Sequence, residues 1–389
     1  MVKTQEAKTS VARRMDLRLY IQQQPVMLAL LAVFGVIFFL AVSGLSRAYH
    51  AQREALGARW SNRGAADLQA RRYDRAVTEF RSALLYARDN YDYQLNLAEA
   101  LIGLGQTNES YSYLVNLWER EPENGLVNLE LARIAAQRGQ TEQAQRYYHN
   151  AIYAVWPLDQ EAKRRETRLE LIEYLLSINA KAQAQAELIA LEENLGEDPG
   201  LQRHVGDLFL RAQDYEHALA AYRVSLKFDR HNAAVLASAG WAAFQLGRYP
   251  LAEHYLQAAV AANPADTQSV ERLKTTQLVL RMDPFRRQIS ATERARIVIE
   301  SFAIAGRRLS SCATPKSSAA PTASQPSLAD EWGKMKPRIS EQELRQNPDL
   351  MEQAMDLVFE IERQTSATCG TPTGEDLALL LISKLHEGN

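Results

Sequence analysis

The sequence predicts an all-α chain in which a single N-terminal transmembrane helix precedes an α-solenoid of helical hairpins and a short C-terminal helical segment. Three observations predict it. Val26 to Leu45 runs twenty residues without a charge, Asn, Gln or Pro. From about Gly57 to Asp266, small and large apolar residues recur at a step of 34. Turn signals such as Gly105-Gln106, Gly139-Gln140, Gln213-Asp214 and Gly247-Arg248 punctuate that recurrence where paired helices must reverse.

The first element after a basic tail (1–25) is the apolar run VMLALLAVFGVIFFLAVSGL at 26–45. At 1.5 Å per residue it makes about 30 Å of helix, the thickness of a bilayer's hydrocarbon core. A core helix packed on one side would show a polar solvent face, and this run has none. A cleaved signal peptide is the sharper competitor, because Ala41-Val42-Ser43 offers small residues at the right spacing and Arg13-Arg14 suggests a twin-arginine leader. The apolar core is longer than signal peptides use, and Asp16 stands where such a leader wants an aromatic, so an uncleaved anchor is favoured. Five basic residues precede the span and four follow within 25 residues, a slight bias toward an inside N-terminus and a body on the extracytoplasmic side of a cell (inner) membrane. Residues 46–56 contain no Pro and are expected to continue as a helical connector.

The repeat columns follow. Ala76, Ser110 and Ala144 form one, Phe80, Leu114 and Tyr148 the next, and Ala83, Leu117 and Ala151 a third. Upstream, Gly64, Ala98 and Ala132 keep the step. After a six-residue slip the register resumes with Ala184, Ala218 and Ala252, then Leu188, Tyr222 and Leu256, then Leu191, Ser225 and Ala259. Gly206 and Gly240 hold the upstream small position, and Ile172 breaks it. Six units result, at 57–90, 91–124, 125–158, 165–198, 199–232 and 233–266. Trp156-Pro157 and the charged run Asp159 to Arg168 mark the slip, read as a longer connection between units.

With Trp60, Gly64, Tyr73, Ala76, Phe80 and Ala83 in the first unit, and closing prolines at Pro122 and Pro264, the array resembles the tetratricopeptide repeat (TPR) family over a little more than half the chain. The resemblance implies a right-handed superhelix of hairpins in which small residues at two crossings let paired helices approach, while the aromatic or Leu column fills the hole made with the next unit. No unit buries its apolar face alone, so stability is largely a nearest-neighbour sum. The resemblance also implies peptide binding along a concave face lined by the first helix of each pair. Mapped by register, that face draws on Asn62, Ala65, Asn96, Glu99, Leu129, Arg133, Leu169, Glu173, Arg203, Asp207, Trp241 and Phe244. The candidate groove residues are Asn62, Asn96, Glu99, Arg133, Glu173, Arg203, Asp207, Trp241 and Phe244, with Trp241 and Phe244 open to a second reading as packing under a capping helix. Neighbouring units do not supply the Lys and Asn set with which some family members capture a C-terminal carboxylate.

Charge is uneven. The whole chain carries 45 Lys+Arg against 47 Asp+Glu, a net charge of -2. The segment 267–309 holds nine basic and four acidic residues, and 310–389 seven and twelve. The basic segment reads as capping helices, helical from a Ser290-x-x-Glu293 capping box with Ile297, Val298, Phe302 and Ile304 on its apolar side. Its arginines, including Arg294, Arg296, Arg307 and Arg308, are expected either to be a solvated face or to meet anionic lipid or an acidic partner, this chain's own tail included. Nucleic acid is disfavoured, since no recognition motif accompanies the charge.

The Ser/Ala/Pro-rich stretch 310–328 reads as a disordered linker. In 329–389, Ser340-x-x-Glu343 starts a helix, Asp349 to Arg363 is amphipathic through Leu350, Ala354, Leu357, Val358 and Ile361, and a Gly-Thr-Pro-Thr-Gly turn leads to a Leu-rich helix from Glu375 to His386. Two helices are few for an independent domain, so they are expected to dock on a partner, a second copy, or the array.

No chemistry is encoded in recognisable form. Seven histidines lack metal-ligand spacing, and neither a Walker loop nor a nucleophile elbow is present. Cys312 and Cys369 lie in Thr/Pro/Ser-rich surroundings that favour surface thiols over a disulfide or a catalytic role. The expectation is a non-catalytic, cofactor-free scaffold anchored in a bacterial envelope membrane and binding partner proteins or peptides. The alternatives are an accessory subunit of a membrane enzyme complex, for polysaccharide synthesis or secretion, and an exported soluble protein cleaved near Ser43.

Overall fold

In the computed structural model the backbone is described for residues 3–156, 158–193, 195–312 and 327–386, and side chains from Met27 onward. Among the described residues the regular structure is helical, with one isolated parallel bridge between Asn124 and Val155. The chain forms two compact units, Met1–Arg168 and Leu169–Asn389. Residues 313–326 of the expected linker and the side chains of the basic tail lie outside the described residues.

The first unit begins with α1 (Lys3–Gln69), a single unbroken helix of 67 residues. Its apolar stretch has no protein cover: every Met, Leu, Val, Ile and Phe from Met27 to Leu45 is between 49% and 73% exposed. The last turns of α1 pair with α2 (Tyr73–Tyr86), and the hairpins α3 (Tyr91–Gly103) with α4 (Thr107–Arg120) and α5 (Gly125–Gln137) with α6 (Thr141–Tyr153) follow. The second unit continues with α8 (Lys181–Glu192), α9 (Pro199–Arg211) with α10 (Tyr215–Phe228), and α11 (Ala233–Gln245) with α12 (Tyr249–Ala262). The helix α7 (Gln160–Ser177) runs through the division.

The columns at step 34 are the buried surfaces of these hairpins. Ala76, Ser110, Ala144, Ala184, Ala218 and Ala252 are fully buried, as are Phe80, Leu114, Leu188, Tyr222 and Leu256. The serine in the small column completes its burial with a bond, its Oγ donating to the Ala98 carbonyl at 2.9 Å. Close approach explains the upstream small residues. A Cβ on Gly64 would lie 2.9 Å from the Phe80 ring, and one on Gly206 2.7 Å from Tyr222.

Helix ends repeat with the same period. Asn90, Asn124, Asp198 and Asn232 each accept a bond from the backbone N–H three residues on, capping α3, α5, α9 and α11. At the other end, residues 71, 105, 139, 179, 213 and 247 all have φ between +57° and +81°. Beside them the 6→1 bonds from Arg72 N–H to Asp67, Gln106 to Leu101, Gln140 to Ala135, Ala180 to Leu175, Asp214 to Phe209 and Arg248 to Ala243 tie off the carbonyls. Glycine occupies three of the six left-handed positions; Arg71, Asn179 and Gln213 occupy the others.

Two expectations need correction. The charged run after Trp156 is not a longer connection: Gln160 to Arg168 is helical and lengthens α7 to 18 residues. The run lacks Gly and Pro, and one-turn pairs Lys163–Glu166 and Arg164–Glu161 support it. Trp156 itself is packed, its indole N–H donating to the Ala151 carbonyl at 2.9 Å and its ring lying over Gly125.

The cysteines are the second correction. After α13 (Thr267–Met282) and α14 (Ala291–Cys312), the chain adds α15 (Leu328–Met335), α16 (Glu341–Gln346), α17 (Pro348–Cys369) and α18 (Gly374–His386). Cys312 and Cys369 are disulfide-bonded. Their polar sequence surroundings pointed to free thiols, but the ends of α14 and α17 come together, a relation no local pattern encodes.

Of the three docking options for the C-terminal helices, the structure has them on their own chain. Val298, Phe302 and Ala305 of α14 share one core with Ala354, Val358 and Ile361 of α17 and Leu379 and Ile382 of α18. Tyr249 at the head of α12 belongs to the same cluster, and Leu385 reaches the turn at Gly247.

Candidate interaction surface

The first-helix face of the first unit contains a cleft of about 490 Å³. Leu68 and Gln69 of α1, Glu99, Ile102 and Gly103 of α3, and Glu130, Arg133, Ile134 and Gln137 of α5 line it, with Arg71 and Tyr73 at the α1–α2 turn. Glu99 and Arg133, two groove candidates separated by one 34-residue step, therefore meet at one site. Arg133 pairs with Glu130 at 2.6 Å, one turn away on the same helix. Burial, then the Glu130 charge, push the Glu99 carboxyl up to about 7, and Arg133 opposes them. Glu130 was not among the candidates. Its place one turn before Arg133 on the helix carrying the candidate was the signal that could have found it.

Asn62 is exposed and Asn96 half-buried on the same set of helices, and neither lines that cleft. Register alone cannot tell an open position on the face from one inside the cleft.

In the second unit the candidates are tied to their own neighbours. Glu173 pairs with Arg211 through two bonds at 2.7 and 2.9 Å. Arg203 lies 3.9 Å from Asp207, one turn on, and Asp207 accepts the Tyr222 hydroxyl at 2.7 Å. Burial and that carboxylate raise the Tyr222 phenol above its ordinary range. Trp241 stacks on Phe244 with centroids 5.4 Å apart, and the Arg272 guanidinium of α13 covers the indole at 4.0 Å. Phe244 also packs against the core of the C-terminal helices. The aromatic pair is thus roofed by α13.

The four arginines considered for lipid are likewise engaged within the chain. Arg294 donates to the Pro284 carbonyl at 2.9 Å, Arg296 pairs with Glu293 at 2.7 Å, Arg307 approaches Glu375 at 4.0 Å, and Arg308 donates to the Gly370 carbonyl at 2.8 Å. Arg281 also reaches Glu375, at 3.6 Å. The acidic tail supplies part of the counter-charge to the basic block. Among the described residues no group of three or more His, Cys, Asp or Glu is arranged to hold a metal ion.

The hairpins, small-residue crossings and periodic left-handed turns define a repeat array of the tetratricopeptide type. No family model matches the sequence, and no curated protein does. Solved structures similar to it include YrrB, described as a TPR protein with an unusual peptide-binding site, at 14% identity, covering 49% of this chain and 95% of that one with a TM-score of 0.39. Pseudomonas aeruginosa PilF is 17% identical over 57% of this chain and 97% of its own, TM-score 0.39. The TPR2AB domain of yeast Sti1 in its pHSP90 complex is 19% identical over 63% and 88%, TM-score 0.26. With all three TM-scores below 0.5, the repeat assignment stands on the chain's own hairpins.

Proposed function

We propose that the chain is a membrane-tethered scaffold that recognises partner proteins or peptides on the first-helix face of its hairpins and performs no chemistry of its own. One observation carries the reading. The uncovered apolar stretch of α1 continues, without a break, as half of the first hairpin. Apolar surface of that extent is stable in lipid and unstable in water. The span's flanking charges favour the array lying on the extracytoplasmic side of an inner membrane. In the first unit, the cleft around Glu99 and Arg133 sets Leu68, Ile102 and Ile134 among charged and amide side chains, a lining suited to a polar peptide segment.

The test is crosslinking of the full chain in membranes, followed by mass spectrometry, with Glu99→Arg as the altered surface. A partner lost in that variant, from a chain that stays in the pellet after alkaline carbonate, is the expected result. A chain released by carbonate and lighter by its first 43 residues would instead identify the exported soluble form. Crosslinks to one membrane enzyme alone would identify an accessory subunit.

A further inference from the structure

The helices α14 and α17 end side by side at Cys312 and Cys369, the only cysteines in the sequence. Their Cα atoms are 5.9 Å apart, inside the range a disulfide requires, and the bond joins positions 57 residues apart. Cys369 is exposed and Cys312 partly so, which leaves the sulfurs within reach of another protein's thiols. Polar contacts flank them at the edge of the shared core. Arg308 donates to the Gly370 carbonyl at 2.8 Å and lies 3.4 Å from the Thr365 hydroxyl. Behind it, Glu362 is fully buried, with its carboxyl facing that of Asp376 on α18. A buried carboxyl set beside a second one opposes closure of the joint it sits in.

We infer that the Cys312–Cys369 bond is a covalent clasp, formed by a disulfide-bearing thiol oxidant once the body of the chain has reached an oxidising compartment, and that it holds the ends of α17 and α18 against α14. The inference takes from the proposed function only the side of the membrane. The exchange balances: the Cys369 thiolate attacks the oxidant's disulfide and expels one oxidant thiolate. The Cys312 thiolate then attacks the Cys369 sulfur of the mixed disulfide and expels the second. Two electrons and two protons pass to the oxidant, which leaves as a dithiol. Disulfides of this kind persist outside reducing compartments.

The test counts thiols in the full-length protein, acid-quenched in its membranes and labelled with a maleimide-polyethylene glycol. No adduct before reduction and two after it are expected; two adducts without reduction would overturn the clasp. A carbonate wash of the same sample reports on the tether separately, so a disulfide-bonded chain in the supernatant would sink the tether and leave the clasp standing. In the Cys312→Ser/Cys369→Ser double variant, amide exchange in α18 and the last two turns of α17 should rise at least tenfold while α9 to α12 stay protected. Exchange unchanged in both regions would also overturn it.

Discussion

The Tyr222 hydroxyl donates to Asp207 Oδ1 at 2.7 Å while its ring lies in the space that Gly206 leaves by having no side chain. One tyrosine thus closes the α9–α10 hairpin at two points, through shape at residue 206 and through polarity at residue 207.

Gly206→Ala places a methyl 2.7 Å from that ring and forces the two helices apart. The expected loss is about 1–3 kcal/mol, the usual cost of overpacking a closed contact. Tyr222→Phe keeps the ring and loses the hydroxyl's bonds to the half-exposed Asp207 carboxylate and to Ser238, about 1 kcal/mol. Denaturant unfolding of the two variants should rank them in that order.

Gln213 sits at a left-handed turn position, φ +65°, where Gly139 and Gly247 serve in other hairpins. Gln213→Gly relieves the contact between Cβ and backbone and should raise stability by about 1 kcal/mol. Gly139→Ala, at φ +68°, should lower it by a similar amount. Opposite shifts in thermal midpoint check the pair.

Glu362 makes the C-terminal helices sensitive to pH. Burial, then the nearby Asp376, push its carboxyl up to about 8 from an ordinary value of 4.5, with Arg308 opposing. A carboxyl raised by folding binds more protons in the native state than in the unfolded one. Its contribution is therefore most favourable below about 4.5, is lost progressively as pH rises toward about 8, and changes no further above that. Glu362→Gln should flatten the fall in stability between pH 5 and pH 8, on the order of 1 kcal/mol or more. Asp376 is raised too, chiefly by burial, so part of the slope should survive in the variant. Unfolding followed across that window measures it.

Trp332 fastens α15, which buries no side chain of its own. The ring stacks on Phe302 at 5.5 Å, its N–H donates to the Phe302 carbonyl at 3.2 Å, and it covers Gly306, where a Cβ would come within 2.3 Å. Trp332→Ala should erase amide protection across Leu328–Met335 and leave the buried face of α17 protected. Protection retained in α15 would show that other contacts hold it.

Local spacing made much of the array readable. Columns such as Ala76–Ser110–Ala144 concern residues that meet their partners within one hairpin, so a fixed step exposes them. The Asx caps at 90, 124, 198 and 232 keep that step as well, but a capping residue is ordinary taken singly and informative only in register. The run from Gln160 to Arg168 has the composition of a helix, and its charge disguises it as a connection. The union of α14 with α17, the disulfide, and the pairing of Arg281 and Arg307 with Glu375 depend on residues far apart in sequence, which no window of the chain contains. The candidate face was legible as a set of positions by register. Which of them lie open, and which are tied to neighbours as Glu173 is to Arg211, depends on side-chain partners that register does not specify.

From Met27 to Gln69 the helix runs 43 residues, a rod of about 65 Å. Its far end cannot lean or rotate about its axis without carrying α2 along, because the Phe80 ring fills the notch at Gly64. Torque applied at the greasy end reaches the hairpins as displacement, with no swivel between them to absorb it.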